Sequence, residues 1–306
     1  MSLQCGIVGL PNGGKSTLFN CLSNARAQAA NFPFCTIEPN IGVITVPDER
    51  LQKLTEVAKP QNVVPATVEV VDRVGLVKGA SKGEGLGNKF LGNIREVDAV
   101  VHVIRCFEDE TILREEGPVN PVGDKEIIDT ELQLKDLDSV EKKIQRVEKI
   151  AKTSNDPNAR KEYDILLQCR QYLEQGKNIR ALGLSKEDAA AIADLFLLTA
   201  KPVIYVANVD EAAMHTGNRF SDALQEAVKD ENALVVIMNN SIEAQIAEMD
   251  DATDRQMFLD EYKMKEPGLD RLIRSTYQML SMITYFTAGE QEVRAWTIHN
   301  GWKAPQ

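Results

Sequence analysis

Short apolar, β-branched runs recur along the chain at residues 3–8, 41–46, 66–71, 99–104, 202–207 and 233–238, each bounded by turn or helix signals. Most are continuous rather than alternating, which predicts strands buried on both faces by helices. The expected class is therefore α/β, with a mainly parallel six-stranded sheet. Between the fourth and fifth runs the pattern turns helical. Leu137, Val140, Ile144, Val147 and Ala151 follow a 3,4,3,4 spacing, the polar stretch 153–158 breaks it, and a second stripe passes through Leu166, Cys169 and Leu173. That predicts two antiparallel helices joined by a polar tip, a coiled-coil arm inserted into the sheet domain. Three more helices are expected at about 242–249, 254–262 and 268–282. Residues 284–297 then read as two strands around a turn, and a lone hairpin is marginal in water.

The expected organisation is a first sheet-domain segment at 1–120, the helical arm at 121–199, a second sheet-domain segment at 200–282, and the start of a small β-rich domain at 283–306. The 306 residues carry a net charge of −11, which argues against a general nucleic-acid coat and restricts any RNA contact to a local patch. Residues 141–180 hold ten basic and six acidic side chains, a local net of +4. A solvated coiled-coil surface and an RNA-facing arm both fit that balance. The five cysteines form no C-x-x-C pair, so zinc and disulfide frameworks are not suggested. No apolar stretch approaches 18 residues and no leader pattern opens the chain. The expectation is a cytoplasmic protein with reduced thiols and no membrane partner.

The chemistry is concentrated near the start. Gly9-Leu10-Pro11-Asn12-Gly13-Gly14-Lys15-Ser16 fits the phosphate-binding P-loop, G-x-x-x-x-G-K-[ST], between an expected strand and an expected helix. Glycines let backbone N–H groups turn inward around phosphate, Lys15 reaches the outer phosphate oxygens, and the Ser16 hydroxyl can ligate Mg²⁺. Thr17 continues into the helix whose N-terminus faces the phosphates. Asp72-Arg73-Val74-Gly75 is a D-x-x-G at a strand end, where Asp72 holds Mg²⁺ through water and the Gly75 N–H senses a γ-phosphate. Thr36 stands between the first helix and second strand, where switch proteins keep a threonine that joins Mg²⁺ only in the triphosphate state.

GTP-specific switch proteins read guanine with N-K-x-D, and here the tetrapeptide is Asn208-Val209-Asp210-Glu211. The guanine-reading carboxylate is displaced onto Glu211, while Asn208 can bond adenine. ATP or relaxed specificity is thus expected, with Asn208, Val209 and Glu211 at the base. Leu76 occupies the place of the water-orienting Gln of Ras-like enzymes, so unassisted hydrolysis should be slow. His102 lies inside an apolar strand and reads as a core side chain. Asn12 has two open readings, a turn residue or a K⁺ ligand of the kind that replaces an arginine finger.

Residues 9–19, 31–40, 75–91, 94–96, 208–211 and 285–296 together resemble the YchF-type Obg-like ATPases, a translation-factor-related group of P-loop proteins. The resemblance implies a G domain with an inserted coiled-coil arm, a C-terminal TGS domain of which only the start is present, slow Mg²⁺-dependent hydrolysis of ATP and sometimes GTP, and association with ribosomes. RNA contact through the arm and the TGS domain is implied with it. On this basis Lys15, Thr36 and Gly75 are the expected catalytic residues. Asn12, Gly13, Gly14, Lys15, Ser16, Thr17, Asn208, Val209 and Glu211 would bind nucleotide, and Ser16, Thr36 and Asp72 the metal. Gly13, Arg73, Val74, Arg114 and the turn Met238-Asn239-Asn240-Ser241-Ile242-Glu243 depart from the family pattern. A strict GTPase, a non-catalytic nucleotide-gated binding module and a small-molecule kinase are the alternatives, the last disfavoured by D-x-x-G and N-x-x-E together.

Overall fold

The computed structural model describes residues 3–29, 41–72, 91–92, 94–112, 117–153 and 156–303. In chain order its elements are β1 (Leu3–Val8), α1 (Lys15–Ala29), β2 (Ile41–Thr45), α2 (Glu49–Ala58), β3 (Asn62–Val64), β4 (Thr67–Asp72), β5 (Ala99–Arg105), α3 (Pro121–Thr153), α4 (Pro157–Glu174), α5 (Lys186–Ala191), β6 (Val203–Asn208), α6 (Arg219–Val228), β7 (Leu234–Met238), α7 (Asn240–Glu248), α8 (Ala252–Glu261), α9 (Gly268–Met279), β8 (Met282–Ala288) and β9 (Glu292–His299). Six strands form one sheet in the order β2-β4-β1-β5-β6-β7. All pairings are parallel except β2 with β4, which is antiparallel. The six apolar runs of the sequence are these six strands.

β5 and β6 are buried along their whole lengths, which explains their unbroken apolar spelling. Successive residues serve opposite faces: Val101 and Val103 join one core with Ile204 and Val206, whereas Val100 and Ile104 join the other with Tyr205 and Ala207. Each such aliphatic side chain removed from water contributes roughly 1.5 to 3 kcal/mol. His102 is 2% exposed within β5, a core residue as its setting predicts. Cys5, Cys21, Cys106 and Cys169 are free and buried.

The inserted arm is the antiparallel pair α3 and α4. At about 1.5 Å per residue the 33 residues of α3 span about 50 Å. Its apolar stripe meets α4 through Val140, Ile144, Leu166, Cys169 and Leu173. Asp156 starts α4 by accepting the Asn158 N–H at 2.9 Å, with Pro157 in the first turn, where its missing N–H costs nothing. Much of the arm's positive charge is answered locally. Lys143 lies 2.9 Å from Glu162 and 2.6 Å from Asp194, and Lys161 lies 2.8 Å from Asp188.

The three-residue strand β3 was not among the sequence expectations, and it changes the status of the C-terminal hairpin. β8 and β9 pair antiparallel as expected, but β9 also pairs in parallel with β3, Val63 opposite Val293. Val293 and Ala295 enter the main core beside Leu51 of α2. The hairpin is therefore stabilised by the N-terminal half of the chain. Among the described residues no helix is long and apolar enough to cross a membrane.

Candidate functional site

The P-loop residues connect the central strand β1 to α1, which places them at the carboxyl ends of the parallel strands, where open α/β sheets bind ligands. Its glycines answer to packing. A Cβ on Gly9 would stand 2.6 Å from the Val103 carbonyl oxygen. Gly14 has φ +96°, and a Cβ there would stand 2.3 Å from Asn208 Nδ2 and 2.9 Å from Asn240 Nδ2. Asn12 also lies in the left-handed region, at φ 63°, a conformation that Asn adopts more readily than most residues. Gly13 is different. It is buried without a positive φ, and a Cβ would meet nothing nearer than the Leu10 carbonyl oxygen at 3.3 Å.

α1 begins at Lys15, with the Leu18 N–H donating to the Gly14 carbonyl at 3.0 Å. Lys15 and Thr17 are half-buried, and Ser16 is exposed at the helix start. A hydroxyl oxygen in that place is the hard donor that Mg²⁺ takes together with phosphate oxygens, so Ser16 fits the metal. Asp72 ends β4 with its backbone in register with Ile7, beside the start of the loop. Its side chain, and the whole of Thr36, Arg73, Val74, Gly75, Leu76 and Arg114, lie outside the described residues. Among those described, no group of three or more His, Cys, Asp or Glu side chains could hold a metal ion.

On the base side, Asn208 is 6% exposed at the end of β6 and its amide is turned toward the P-loop: Nδ2 donates to the Gly13 carbonyl at 3.1 Å. Its Oδ1 accepts the Asn240 N–H at 3.0 Å. Asn240 in turn donates from Nδ2 to the Gly14 carbonyl at 3.0 Å. Val209 is buried, its N–H on the Met238 carbonyl at 3.0 Å and its own carbonyl receiving Asn239 Nδ2 at 2.8 Å. Asp210 accepts the Ala213 N–H at 2.9 Å as the cap of a short turn of helix, while Glu211 is exposed. The displaced carboxylate thus leads into solvent, and the nearer one closes a turn. A cavity of about 280 Å³ adjoins, lined by Met214, His215, Met238, Asn239 and Arg271 among others.

Asn239 and Asn240 are the residues whose tasks sequence reading did not separate. Asn239 carries a local signal, an Asn before a helix, and it accepts the Ser241 and Ile242 N–H groups at 3.0 and 2.9 Å. The partner of Asn240 is 226 residues away, so nothing local announces it.

Comparison with known proteins agrees with this geometry. Residues 4–259 match the family described as 50S ribosome-binding GTPase, and residues 282–306 match the C-terminal domain family of YchF GTPases, described as of unknown function. The chain is 53% identical over 306 residues to the ribosome-binding ATPase YchF of Escherichia coli O157:H7, covering all of this chain and 84% of that protein. It is 50% identical over 308 residues to the protein of the same name from Bacillus subtilis strain 168, again covering 84% of it. A solved structure of the Schizosaccharomyces pombe YchF GTPase superposes with a TM-score of 0.88 at 37% identity, over the whole of this chain and 82% of that one. The β1–P-loop–α1 unit, the six-stranded sheet and the inserted helical arm therefore belong to a member of the YchF family of P-loop proteins.

Proposed function

We propose that the chain binds a purine nucleoside triphosphate with Mg²⁺ at the P-loop, hydrolyses it slowly, and uses nucleotide occupancy to gate association with the ribosome. The observation that carries the reading is the anchored loop: Gly9 and Gly14 pack where no side chain fits, and the Gly13 and Gly14 carbonyls are held on the side away from their neighbouring N–H groups. Those N–H groups, the start of α1 and the Lys15 ammonium supply the positive field that a triphosphate needs. Mg²⁺ held by Ser16, with Thr36 and Asp72, would neutralise charge developing on the transferred phosphoryl group. Gly75 would sense the γ-phosphate through its N–H. Leu76 cannot orient water, which supports slow turnover without a partner.

ATP is the proposed nucleotide. No lysine follows Asn208, Asp210 caps a turn, and Glu211 stands in solvent, so the arrangement that fixes guanine is missing from the described base side. Relatives carry both ATPase and GTPase in their names, and the ribosome appears in the names of the bacterial ones. Two observations favour a plain turn role for Asn12: its left-handed backbone and its exposed position. Unchanged turnover on exchanging K⁺ for Na⁺ would agree, and a large loss would make K⁺ a cofactor.

The test is a side-by-side affinity titration of ATP, GTP and ADP, with Lys15→Ala as control, followed by ribosome co-sedimentation in each nucleotide state. Tighter ATP than GTP binding and nucleotide-dependent co-sedimentation that Lys15→Ala abolishes are expected. Co-sedimentation indifferent to nucleotide would overturn the gating, and equal or tighter GTP binding the base assignment.

A further inference from the structure

We propose that Asn240 is a positioning residue for phosphate binding: with Asn208 it holds two consecutive P-loop carbonyls outward and so aims the N–H groups on the far sides of those peptides at the phosphates. The inference rests on the reading of the P-loop as a nucleotide site. In a trans peptide the C=O and N–H point in opposite directions within one plane. The Gly13 carbonyl shares its plane with the Gly14 N–H, and the Gly14 carbonyl shares the next with the Lys15 N–H. Asn208 Nδ2 holds the first carbonyl at 3.1 Å and Asn240 Nδ2 the second at 3.0 Å. The Asn240 N–H donates to Asn208 Oδ1 at 3.0 Å, so the two carboxamides form one clasp, built from the end of β6 and the first residue of α7.

The loop has a reason to need it. Gly13 lies outside the left-handed region and has room for a Cβ with a small adjustment, so glycine there adds conformational freedom that no contact demands. Adjacent glycines make this the softest part of the loop, and the stiffness has to come from outside. Asn208 alone orients one of the two planes. The Leu18 N–H also reaches the Gly14 carbonyl, yet it belongs to the first turn of α1 and moves with the loop.

Asn240 is 1% exposed and its Oδ1 has no donor among the described residues. A buried acceptor left unmet cancels much of what the donated bond contributes to folding. Removing the side chain should therefore separate binding from stability.

The experiment compares Asn240→Ala, Asn240→Asp, Gly13→Ala and the double variant Gly13→Ala/Asn240→Ala in displacement of a fluorescent ADP by ATP, ADP and inorganic pyrophosphate, with thermal unfolding of the ligand-free chains. Asn240→Ala is expected to weaken all three ligands in parallel, by about three- to tenfold from the loss of one hydrogen bond, with an unfolding midpoint equal to or above the parent's. Asn240→Asp, which keeps the shape but turns a carboxylate oxygen toward the Gly14 carbonyl, should lose more. Gly13→Ala should restore part of the loss in the double variant. Parent-like pyrophosphate binding by Asn240→Ala would overturn the proposal, as would a loss that tracks a lowered midpoint, or strictly additive effects in the cycle. A parent chain that binds none of the ligands would overturn the nucleotide reading itself.

Discussion

Arg180, at the base of the helical arm, donates from Nη2 to the Tyr205 hydroxyl of β6 at 3.1 Å. The same nitrogen lies 2.9 Å from Glu231, and Lys125 of α3 lies 2.5 Å from Glu231 and 2.6 Å from Asp129. Asn178 closes the group with an Nδ2 donation to Asp129 at 3.0 Å. Burial opposes the Asp129 charge, but Arg180 and Lys125 prevail and hold its carboxyl below the usual range. The arm is thus fastened to the strand that carries Asn208, three residues beyond Tyr205. A second tie lies nearby, where fully buried Asp136 accepts the Leu198 and Thr199 N–H groups at 2.8 and 2.7 Å.

Breaking one side of a buried ion network leaves the other charge uncompensated. Arg180→Met is expected to destabilise the chain by about 3 to 5 kcal/mol, whereas Tyr205→Phe, which removes the bond accepted from Arg180 and the one donated to Glu231, should cost about 2 kcal/mol. Urea denaturation of the two variants checks both values. Equal small effects would mean that the network contributes little to holding the arm.

The two adjacent P-loop glycines should respond oppositely to alanine. Gly14→Ala meets two amide nitrogens and a left-handed backbone, and is expected to weaken ATP binding by at least about tenfold. Gly13→Ala fits with a small adjustment against Leu10 and stiffens the loop, so affinity should hold or rise, by up to about fivefold. Calorimetric titration of ATP into each variant decides. A loss at Gly13 as large as at Gly14 would show that its freedom is needed.

How much of this was legible depended on range. The strands, the arm's heptad-like stripes and the P-loop are local patterns of burial or turn chemistry, and the chain spells them within a few residues. β3 is too short and too exposed to announce itself, and it becomes a strand only because β9 lies beside it. The clasp on the P-loop joins Gly14 to Asn240 across 226 residues, so Asn240 reads locally only as part of the turn after β7. Asn208 was expected at the base, and the bond from its buried amide to the Gly13 carbonyl is a further task that only the meeting of β6 with the P-loop explains. Thr36 and Gly75 were read from motif position alone and lie outside the described residues.

Glu243 of α7 is 2% exposed and accepts the Gly268 and Leu269 N–H groups at 2.7 and 3.1 Å, capping α9 from another helix. Burial pushes its carboxyl up, and these two donors oppose the shift. Glu243→Gln replaces one acceptor by an amide that faces an N–H group, with an expected loss of about 1 to 3 kcal/mol. The checks are urea denaturation and, as a control, ATP affinity, which should change less than twofold. An unchanged urea midpoint would mean that α9 finds other partners for its first turn.

His102 makes a pH-dependent contribution whose sign follows from its burial. Removal from water pushes the imidazole down from 6.5 to about 4, with Asp129 opposing and Lys125 and Arg180 reinforcing the shift. Between these values the unfolded chain binds a proton that the native chain refuses. The stability present above about pH 6.5 is therefore lost as pH falls toward 4, at about 1.4 kcal/mol per pH unit and roughly 3 kcal/mol in all. His102→Leu should remove that part of the pH dependence, although it gives up the ring packed 5.4 Å from Tyr205. The unfolding free energy of the parent minus that of the variant should fall by that amount between pH 7 and pH 4. A constant difference across the range would mean that His102 takes up its proton in the folded state as readily as in the unfolded one.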